Sequence, residues 1–220
     1  MLELIGQVSR RATAQVLCIG AHCDDIEIGC GGTLQVLQAS RPKLEIHWVI
    51  ASGTPQRCAE ARRAMSMLVK RSQRGQLHFG EFPDGQFPAH YAAIKGFFES
   101  LKKLPRPDLI LCHERDDRHQ DHRIVNEMLW NTFRDHAVLE YEIPKWDGGL
   151  GQPNIYVPLT AAQMHAKTNA LMQAYASQRR RDWFTPATFE ALARLRGIEC
   201  RAGDGFAEAF HARKLRFAGL

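Results

Sequence analysis

The sequence predicts the α/β class, with a mostly parallel sheet flanked by helices in three layers. Short apolar runs alternate with longer stretches of helical spacing from residue 16 to about residue 130. The runs are continuously apolar, which is typical of strands buried on both faces. Such alternation builds right-handed βαβ units, so we expect ligands to bind at the carboxyl ends of the strands.

The predicted elements follow one another in a regular order. The first strand covers 16–21, and glycines at 29, 31 and 32 let it turn into a helix that continues through Leu34 and Leu37. The later strands are near 45–50, 76–79 and 109–112. The later helices are near 56–70, 89–104, from 120 onward, 160–177 and 186–196, before an apolar closing segment at 206–210.

Length and composition predict one domain over residues 1–220. The 220 residues are 45% hydrophobic, which suffices for a sizeable core. The six cysteines include no CxxC pair, a pattern that indicates reduced thiols in a cytoplasmic protein. No apolar run approaches the roughly 20 residues of a membrane span, and the N-terminus has no signal-peptide core. We therefore expect neither export nor membrane insertion.

The charge of the chain favours a small partner over a nucleic acid. The net charge is +5, from 29 basic and 24 acidic residues, and no aromatic residues repeat among the basic ones. Arg179 lies in the densest basic cluster, at 179–181, and is a candidate contact for a phosphate-bearing substrate. A solvated face is the alternative for this cluster, and a homo-oligomer stays open.

A first polar cluster follows the first strand. His22, Asp24 and Asp25 stand together there. Unpaired charges beside a core cost several kcal/mol unless a partner or a metal compensates them. The cluster therefore indicates a site, and the alternative is a solvated loop in which one aspartate caps the next helix.

A second polar cluster, at 113–122, also begins where a strand ends, so the sheet should deliver both clusters to one edge. Imidazole nitrogen and carboxylate oxygen suit zinc, and three protein ligands leave a position for water, as in catalytic sites. One of Asp24 and Asp25 would join His22 on the metal, and the other would accept a proton from the water. The spacing does not decide between them.

The part of the chain after about residue 141 is expected to contribute loops to a substrate pocket. The segment 143–153 is rich in turn-forming residues, and long loops in compact domains often bind ligands. Trp146 and Asp147 are its candidate functional residues. The alternative is a surface loop with one packed tryptophan.

The segment from Ile19 to Leu34, IGAHCDDIEIGCGGTL, together with the run from His119 to His122, HQDH, resembles the LmbE-like or PIG-L family of zinc-dependent N-acetylglucosaminyl deacetylases. The resemblance is strongest over about residues 15 to 125, and 207–210 is similar to the C-terminal signature of the family. It implies a Rossmann-like α/β fold. It also implies hydrolysis of an N-acetylated amino sugar, such as a glycoside, a nucleotide sugar or an antibiotic precursor.

The resemblance also implies roles for individual residues. His22, Asp25 and His122 would be the metal ligands, and Asp24 would be the general base. His119 would donate a proton or a hydrogen bond to the tetrahedral intermediate and its leaving amine. The expected cofactor is Zn²⁺, with Fe²⁺, Co²⁺ and Ni²⁺ as alternatives.

Further candidates lie around this set. Asp121 is expected to accept a hydrogen bond from a neighbouring histidine, as metal sites commonly require. His113 lies at the end of its strand, where a simple hydrogen-bonded histidine is the alternative. Glu208 lies in the closing segment and is a candidate for the pocket wall. Arg57 is expected on an exposed helix face.

Cys23 departs from the family, which usually has proline at this position. Proline contributes a fixed φ and no functional group, so we expect the site to survive and Cys23 to be a small buried side chain. The alternative is a ligand or a redox switch. Two other functions stay open for the chain: hydrolysis of a different amide, and a non-catalytic module that binds a sugar or a nucleotide.

Overall fold

The computed structural model describes residues 12–41, 43–70, 74–144 and 146–215. Its strands in chain order are β1 (Ala14–Gly20), β2 (Leu44–Ile50), β3 (Arg74–Phe79), β4 (Leu109–His113), β5 (Val138–Tyr141), β6 (Ile155–Leu159) and β7 (Phe206–His211). Its α-helices are α1 (Asp25–Ser40), α2 (Pro55–Leu68), α3 (Tyr91–Ser100), α4 (Gln120–Thr132), α5 (Ala161–Ala174) and α6 (Pro186–Cys200).

The strands form one sheet in the order β3-β2-β1-β4-β5-β7-β6. The first five strands in this order are parallel to one another. The strand β7 runs antiparallel to both β5 and β6. The predicted α/β fold with a mostly parallel sheet is therefore confirmed. The strand order reverses between β1 and β4, so the crevice outside their carboxyl ends is the place where such folds bind ligands.

Two apolar cores separate the sheet from helices on its two faces. Val16 and Cys18 of β1 belong to one core, whereas Leu17 and Ile19 belong to the other. This division follows from the alternation of side chains along a strand. The first core also includes side chains of α1, α2, α5 and α6, and the second includes side chains of α3 and α4. Both faces are covered, which explains why β1 is apolar from Val16 to Ile19.

Several helices begin at the capping signals that the sequence contains. Thr54 accepts a hydrogen bond from the backbone of Arg57 ahead of Pro55, the first residue of α2. Thr160 and Gln163 form a reciprocal capping box at the start of α5. Within the described residues, no helix is long and apolar enough to cross a membrane.

The glycine-rich segment lies inside α1, so the prediction that its glycines form the turn before the helix is wrong. The helix already begins at Asp25. A Cβ on Gly29 would lie 2.2 Å from the ring of Tyr141, and one on Gly32 would lie 2.5 Å from Leu159. These glycines therefore let the helix pack closely on the side chains of β5 and β6.

Replacing Gly29 with Ala should destabilise the protein by about 1–3 kcal/mol, because overpacking forces a buried ring to shift. Gly96 of α3 is the matched control, since a Cβ there meets nothing within 4 Å. Gly96→Ala should raise the free energy of unfolding by up to about 1 kcal/mol through helix propensity. Urea denaturation of the two variants measures this difference, and equal effects would contradict the packing argument.

The second half of the sheet differs from the sequence prediction. The strands β5 and β6 were not predicted, and the region 89–104 contains α3 between two short 3-10 turns, Phe87–His90 and Leu101–Lys103. Pro158 explains why β6 is hard to recognise, because proline cannot donate to a sheet ladder. The structure accommodates it because β6 is an edge strand whose only neighbour is β7.

Candidate active site

His22, Asp25 and His122 bring three ligand groups together beyond the carboxyl ends of β1 and β4. His22 Nδ1 lies 3.2 Å from His122 Nε2 and 3.4 Å from Asp25 Oδ2. His122 Nε2 lies 3.6 Å from Asp25 Oδ1. In a tetrahedral zinc site with bonds of about 2.0 Å, the ligand atoms are about 3.3 Å apart. The donor chemistry of these side chains fits a small divalent cation, and the two imidazoles approach different oxygens of Asp25. With one ligand atom from each side chain, the groups that converge within 4.8 Å here are His22, His119 and His122, and Asp25, His113 and His122.

The ends of two helices position these groups. Asp25 is the first residue of α1, and its Oδ2 accepts a hydrogen bond of 2.6 Å from the backbone of His22. His119 precedes α4, which places His122 in the first turn of that helix. Asp24 occupies the N-cap position of α1, but its side chain makes no capping hydrogen bond. The alternative in which Asp24 serves as a helix cap therefore has no support.

Each of the two imidazoles has a carboxylate partner on its other ring nitrogen. Asp121 Oδ2 lies 3.3 Å from His22 Nε2 and accepts a hydrogen bond from the backbone of Gly85. Asp117 Oδ2 lies 2.8 Å from His122 Nδ1. Such partners fix the tautomer and the orientation of ligand histidines. Asp121 thus lies beside a histidine as the sequence analysis expects, whereas Asp117 was not among the predicted site residues.

Replacing Asp117 with Asn should weaken zinc binding by roughly 10- to 100-fold, the usual effect of losing a carboxylate behind a ligand histidine. Asp116→Asn is the matched control, because that neighbouring side chain is 73% exposed and faces Arg213. Competition titration against a chromogenic zinc chelator gives both affinities. Equal affinities in the two variants would show that Asp117 does not support His122.

Asp24 is paired with Arg57, whose Nη2 donates a hydrogen bond of 2.7 Å to Asp24 Oδ1. The side chain of Arg57 is only 20% exposed, so the prediction that it lies on an exposed helix face is wrong. Its guanidinium also lies 5.7 Å from the ring centre of Tyr175. Helical spacing indicates which residues share a face, but only the placement of α2 beside the sheet edge decides what that face contacts.

The two adjacent aspartates have opposite electrostatic environments. Burial raises the pKa of Asp24 above its ordinary value, although Arg57 partly offsets this effect. Burial also opposes the charge of Asp25, but His122, His113 and His22 together hold its pKa well below the ordinary value. Neighbouring carboxyl groups whose pKa values are pushed apart commonly have different chemical roles.

His119 lies against the two other imidazoles. Its ring centre is 4.9 Å from that of His22 and 4.5 Å from that of His122. Its Nδ1 accepts a hydrogen bond from the backbone of Asp121, so the neutral ring carries its proton on Nε2. Burial and the neighbouring His22 lower the pKa of His119, which favours this neutral form as a hydrogen-bond donor.

His113 lies beneath the cluster and is fully buried. Its Nε2 is 3.0 Å from Asp25 Oδ2 and accepts a hydrogen bond from the backbone of Ala21. Its ring stacks on His122 with the ring centres 3.8 Å apart. The structure therefore brings His113 into contact with two of the three predicted ligands.

Asp84 belongs to the same cluster and was missed by the sequence analysis. Its Oδ1 lies 3.0 Å from His22 Nε2, and its side chain is 76% exposed. It lies in a turn between β3 and α3, next to Pro83 and Gly85. The signal in the sequence is an aspartate soon after the end of a parallel strand, which alone does not distinguish a site residue from a turn residue.

Comparison with known proteins identifies the family. A family model described as "PIG-L: GlcNAc-PI de-N-acetylase" matches residues 17–133, more than half of the chain. The chain belongs to the PIG-L family. The matched residues include both polar clusters and Arg57. In this PIG-L chain, the proposed metal ligands and Asp24 therefore lie in the part of the sequence that the family model matches.

Solved structures share the fold over most of the chain. N,N'-diacetylchitobiose deacetylase from Pyrococcus horikoshii is 20% identical, with a TM-score of 0.68, and the match covers 90% of this chain and 82% of that one. The 4-carboxy-2-hydroxymuconate hydratase GalB from Pseudomonas putida is 14% identical, with a TM-score of 0.72 and coverages of 94% and 99%. The zinc-inhibited form of teicoplanin deacetylase is 14% identical, with a TM-score of 0.66 and coverages of 90% and 97%.

Glu208 and Arg179, which the sequence predicts near the substrate of this PIG-L protein, form hydrogen bonds with other parts of the chain. Glu208 is buried and accepts hydrogen bonds from Lys167 and from the backbones of Gly32 and Thr33. Arg179 donates to backbone carbonyls in α5. Glu208 pairs with a lysine because neither buried charge is stable alone, and Arg179 satisfies carbonyls near a helix end. Their contacts with substrate stay predictions.

Trp146 and Asp147 lie in the loop after β5. The side chain of Trp146 is 79% exposed. Asp147 Oδ1 accepts a hydrogen bond of 2.8 Å from the backbone of Gly149, and its side chain lines a small cavity together with Asp117. Asp117 is the partner of His122, so this loop borders the candidate site.

Proposed function

We propose that this PIG-L protein is a metal-dependent hydrolase that removes the acetyl group from an N-acetylated amino sugar. The observation that carries the proposal is the set of three ligand groups within 3.6 Å of one another, with the separate carboxylate of Asp24 adjacent in the chain. Membership of the family supports it. Two deacetylases of sugar-containing compounds with the same fold support it as well.

In this proposal His22, Asp25 and His122 hold the cation, and we propose zinc as its identity. The donor set of two imidazoles and one carboxylate supports that choice. A bound divalent cation supplies a Lewis acid that polarises an amide carbonyl and lowers the pKa of a water molecule. Asp117 and Asp121 orient the two imidazoles, and the buried ring of His113 packs beside Asp25 and His122.

Asp24 is proposed as the general base that takes the proton from the attacking water. Its raised pKa brings it closer to the working range of a base, and the hydrogen bond from Arg57 fixes the direction of its carboxylate. Asp25, with a lowered pKa, remains ionised as a ligand should. The electrostatic difference between the aspartates thus supports the assignment that the family resemblance implies.

His119 is proposed as the donor to the leaving amine. Its Nδ1 accepts a backbone hydrogen bond, so its Nε2–H is available to the reacting group. Asp84, exposed beside His22, is in a position to accept hydrogen bonds from sugar hydroxyl groups. Trp146 and Asp147 are proposed to contact the part of the substrate beyond the acetylated sugar.

A substrate panel tests the proposal. The zinc-loaded protein is incubated with N-acetylglucosamine, N,N'-diacetylchitobiose, a nucleotide-linked N-acetylglucosamine and N-acetylated amino acids, and acetate release is measured. We expect release from at least one sugar and none from the amino acids. Release from the amino acids alone would favour the hydrolase of a different amide. Sugar binding without release would favour the non-catalytic module.

We propose a cytoplasmic location as well. All six cysteines are free thiols, which suits a reducing compartment. We also propose that the chain forms a single domain and acts on a small-molecule substrate. Neither a nucleic-acid partner nor membrane insertion is part of it.

A further inference from the structure

We propose that a peroxide oxidises Cys23 and Cys58 to a reversible disulfide, and that this bond switches the site off. Cys23 stands between His22 and Asp24, at the position where the family usually has proline. Cys58 directly follows Arg57, the partner of Asp24. The two thiols therefore lie on the two segments that hold Asp24 and Arg57 together.

The two sulfur atoms face each other across Gly53. A Cβ at that glycine would lie 2.5 Å from Cys23 Sγ and 2.9 Å from Cys58 Sγ, so the two sulfurs are no more than 5.4 Å apart. A disulfide of about 2.05 Å between them requires rotation about the Cα–Cβ bonds and a shift of the backbone.

The difference in exposure between the two thiols decides which of them is oxidised first. Cys23 is 1% exposed and donates a hydrogen bond of 3.6 Å to the backbone carbonyl of Ser52. Cys58 is only partly buried. An oxidant from solvent therefore reaches Cys58 first, and Cys23 is the protected second thiol that resolves the reaction.

The chemistry is a two-electron oxidation with hydrogen peroxide as the oxidant. The sulfur of Cys58 attacks one peroxide oxygen, the O–O bond breaks, and water leaves as the sulfenic acid forms. The sulfur of Cys23 then attacks that sulfenic sulfur, the S–S bond forms, and the S–OH oxygen leaves as a second water. Both thiol protons end in water, and a dithiol reductant reverses the reaction by exchange.

A second thiol pair provides an internal comparison. Cys18 of β1 and Cys30 of α1 are also neighbouring thiols, but both are fully buried in the apolar core. Both pairs are therefore close neighbours, and access from solvent distinguishes them. We expect peroxide to cross-link the pair beside the site and to leave the core pair reduced.

The loss of activity rests on the proposed function, whereas formation of the bond does not. A sulfur–sulfur bond pulls the turn with Asp24 and the first turn of α2 toward each other. The hydrogen bond of 2.7 Å between Arg57 and Asp24 then loses its geometry. Mass spectrometry tests the bond, and acetate release tests its consequence.

The experiment exposes the zinc-loaded full-length protein to hydrogen peroxide, alkylates the remaining thiols and maps the peptides by mass spectrometry. We expect a linked peptide pair containing Cys23 and Cys58 and lacking two hydrogens. We also expect at least a tenfold loss of acetate release that dithiothreitol restores. Cys58→Ser should keep its activity in peroxide, whereas the matched control Cys200→Ser should lose it like the wild type.

Absence of the linked peptide, or a linkage between Cys18 and Cys30 instead, would overturn the proposal. So would equal loss of activity in Cys58→Ser and in the wild type. If Cys58→Ser folds poorly, Cys58→Ala provides the same test. If the protein forms the linked peptide but releases no acetate, the proposed function and the activity switch are both wrong. The thiol pair would then still be a site of oxidative modification.

Discussion

Replacing Asp24 with Asn should lower kcat by roughly 10²- to 10⁴-fold, the usual contribution of a general base. An amide has the shape of the carboxylate but cannot take a proton from water. Its oxygen can still accept the hydrogen bond from Arg57, which leaves the local geometry intact. Metal content should stay at the wild-type level because His22, Asp25 and His122 are unchanged. Acetate release and elemental analysis of the same preparation measure both quantities.

Asp116→Asn is the control for this variant, because it removes one carboxylate from the exposed surface of the second polar cluster. It should retain wild-type activity and metal content. A fully active Asp24→Asn protein would exclude Asp24 as the base. Loss of metal from Asp24→Asn would instead place this carboxylate on the cation.

Replacing His122 with Ala should abolish both tight metal binding and activity. The change removes one of the three proposed ligands and leaves the buried carboxylate of Asp117 without its imidazole partner. The affinity for zinc should fall by more than the roughly 100-fold upper limit expected for loss of a supporting carboxylate. Zinc titration and acetate release measure the effect. Added zinc should restore little activity.

His165→Ala is the matched control for His122→Ala, since His165 is an exposed histidine of α5. It should bind zinc and release acetate as the wild type does. A His122→Ala protein that keeps one tightly bound zinc would show that another group of side chains holds the metal. Among the described residues, His22, Asp84 and Asp121 form a candidate set that does not include His122.

The first half of the fold could be predicted because β1, β2 and β4 are buried on both faces. The run through β1 is apolar at every position facing either core, so the sequence has no competing pattern there. By contrast, β6 is an edge strand with a proline, and most of its residues are only partly buried. Its pairing with β7 joins residues that are far apart in the sequence. Local sequence patterns carry no information about such contacts.

The site divides in a similar way. The clusters around His22 and His122 could be predicted because each follows a strand and contains residues that are costly to leave unpaired. Arg57 could not be placed, because the direction of a helix face depends on packing. Asp84 reads as an ordinary turn residue until the structure brings it to His22. Glu208 is a distinctive charged residue in an apolar segment, but its charge serves a buried ion pair with Lys167.

The most direct test of the central claim is a titration of the metal-free protein with zinc, with acetate release from the active N-acetylated sugar as the signal. Metal-free protein should be inactive, and activity should rise linearly and reach a plateau at one zinc ion per chain. Activity that persists in the metal-free protein would contradict the account. Activity that does not require an ion bound by His22, Asp25 and His122 would contradict it as well.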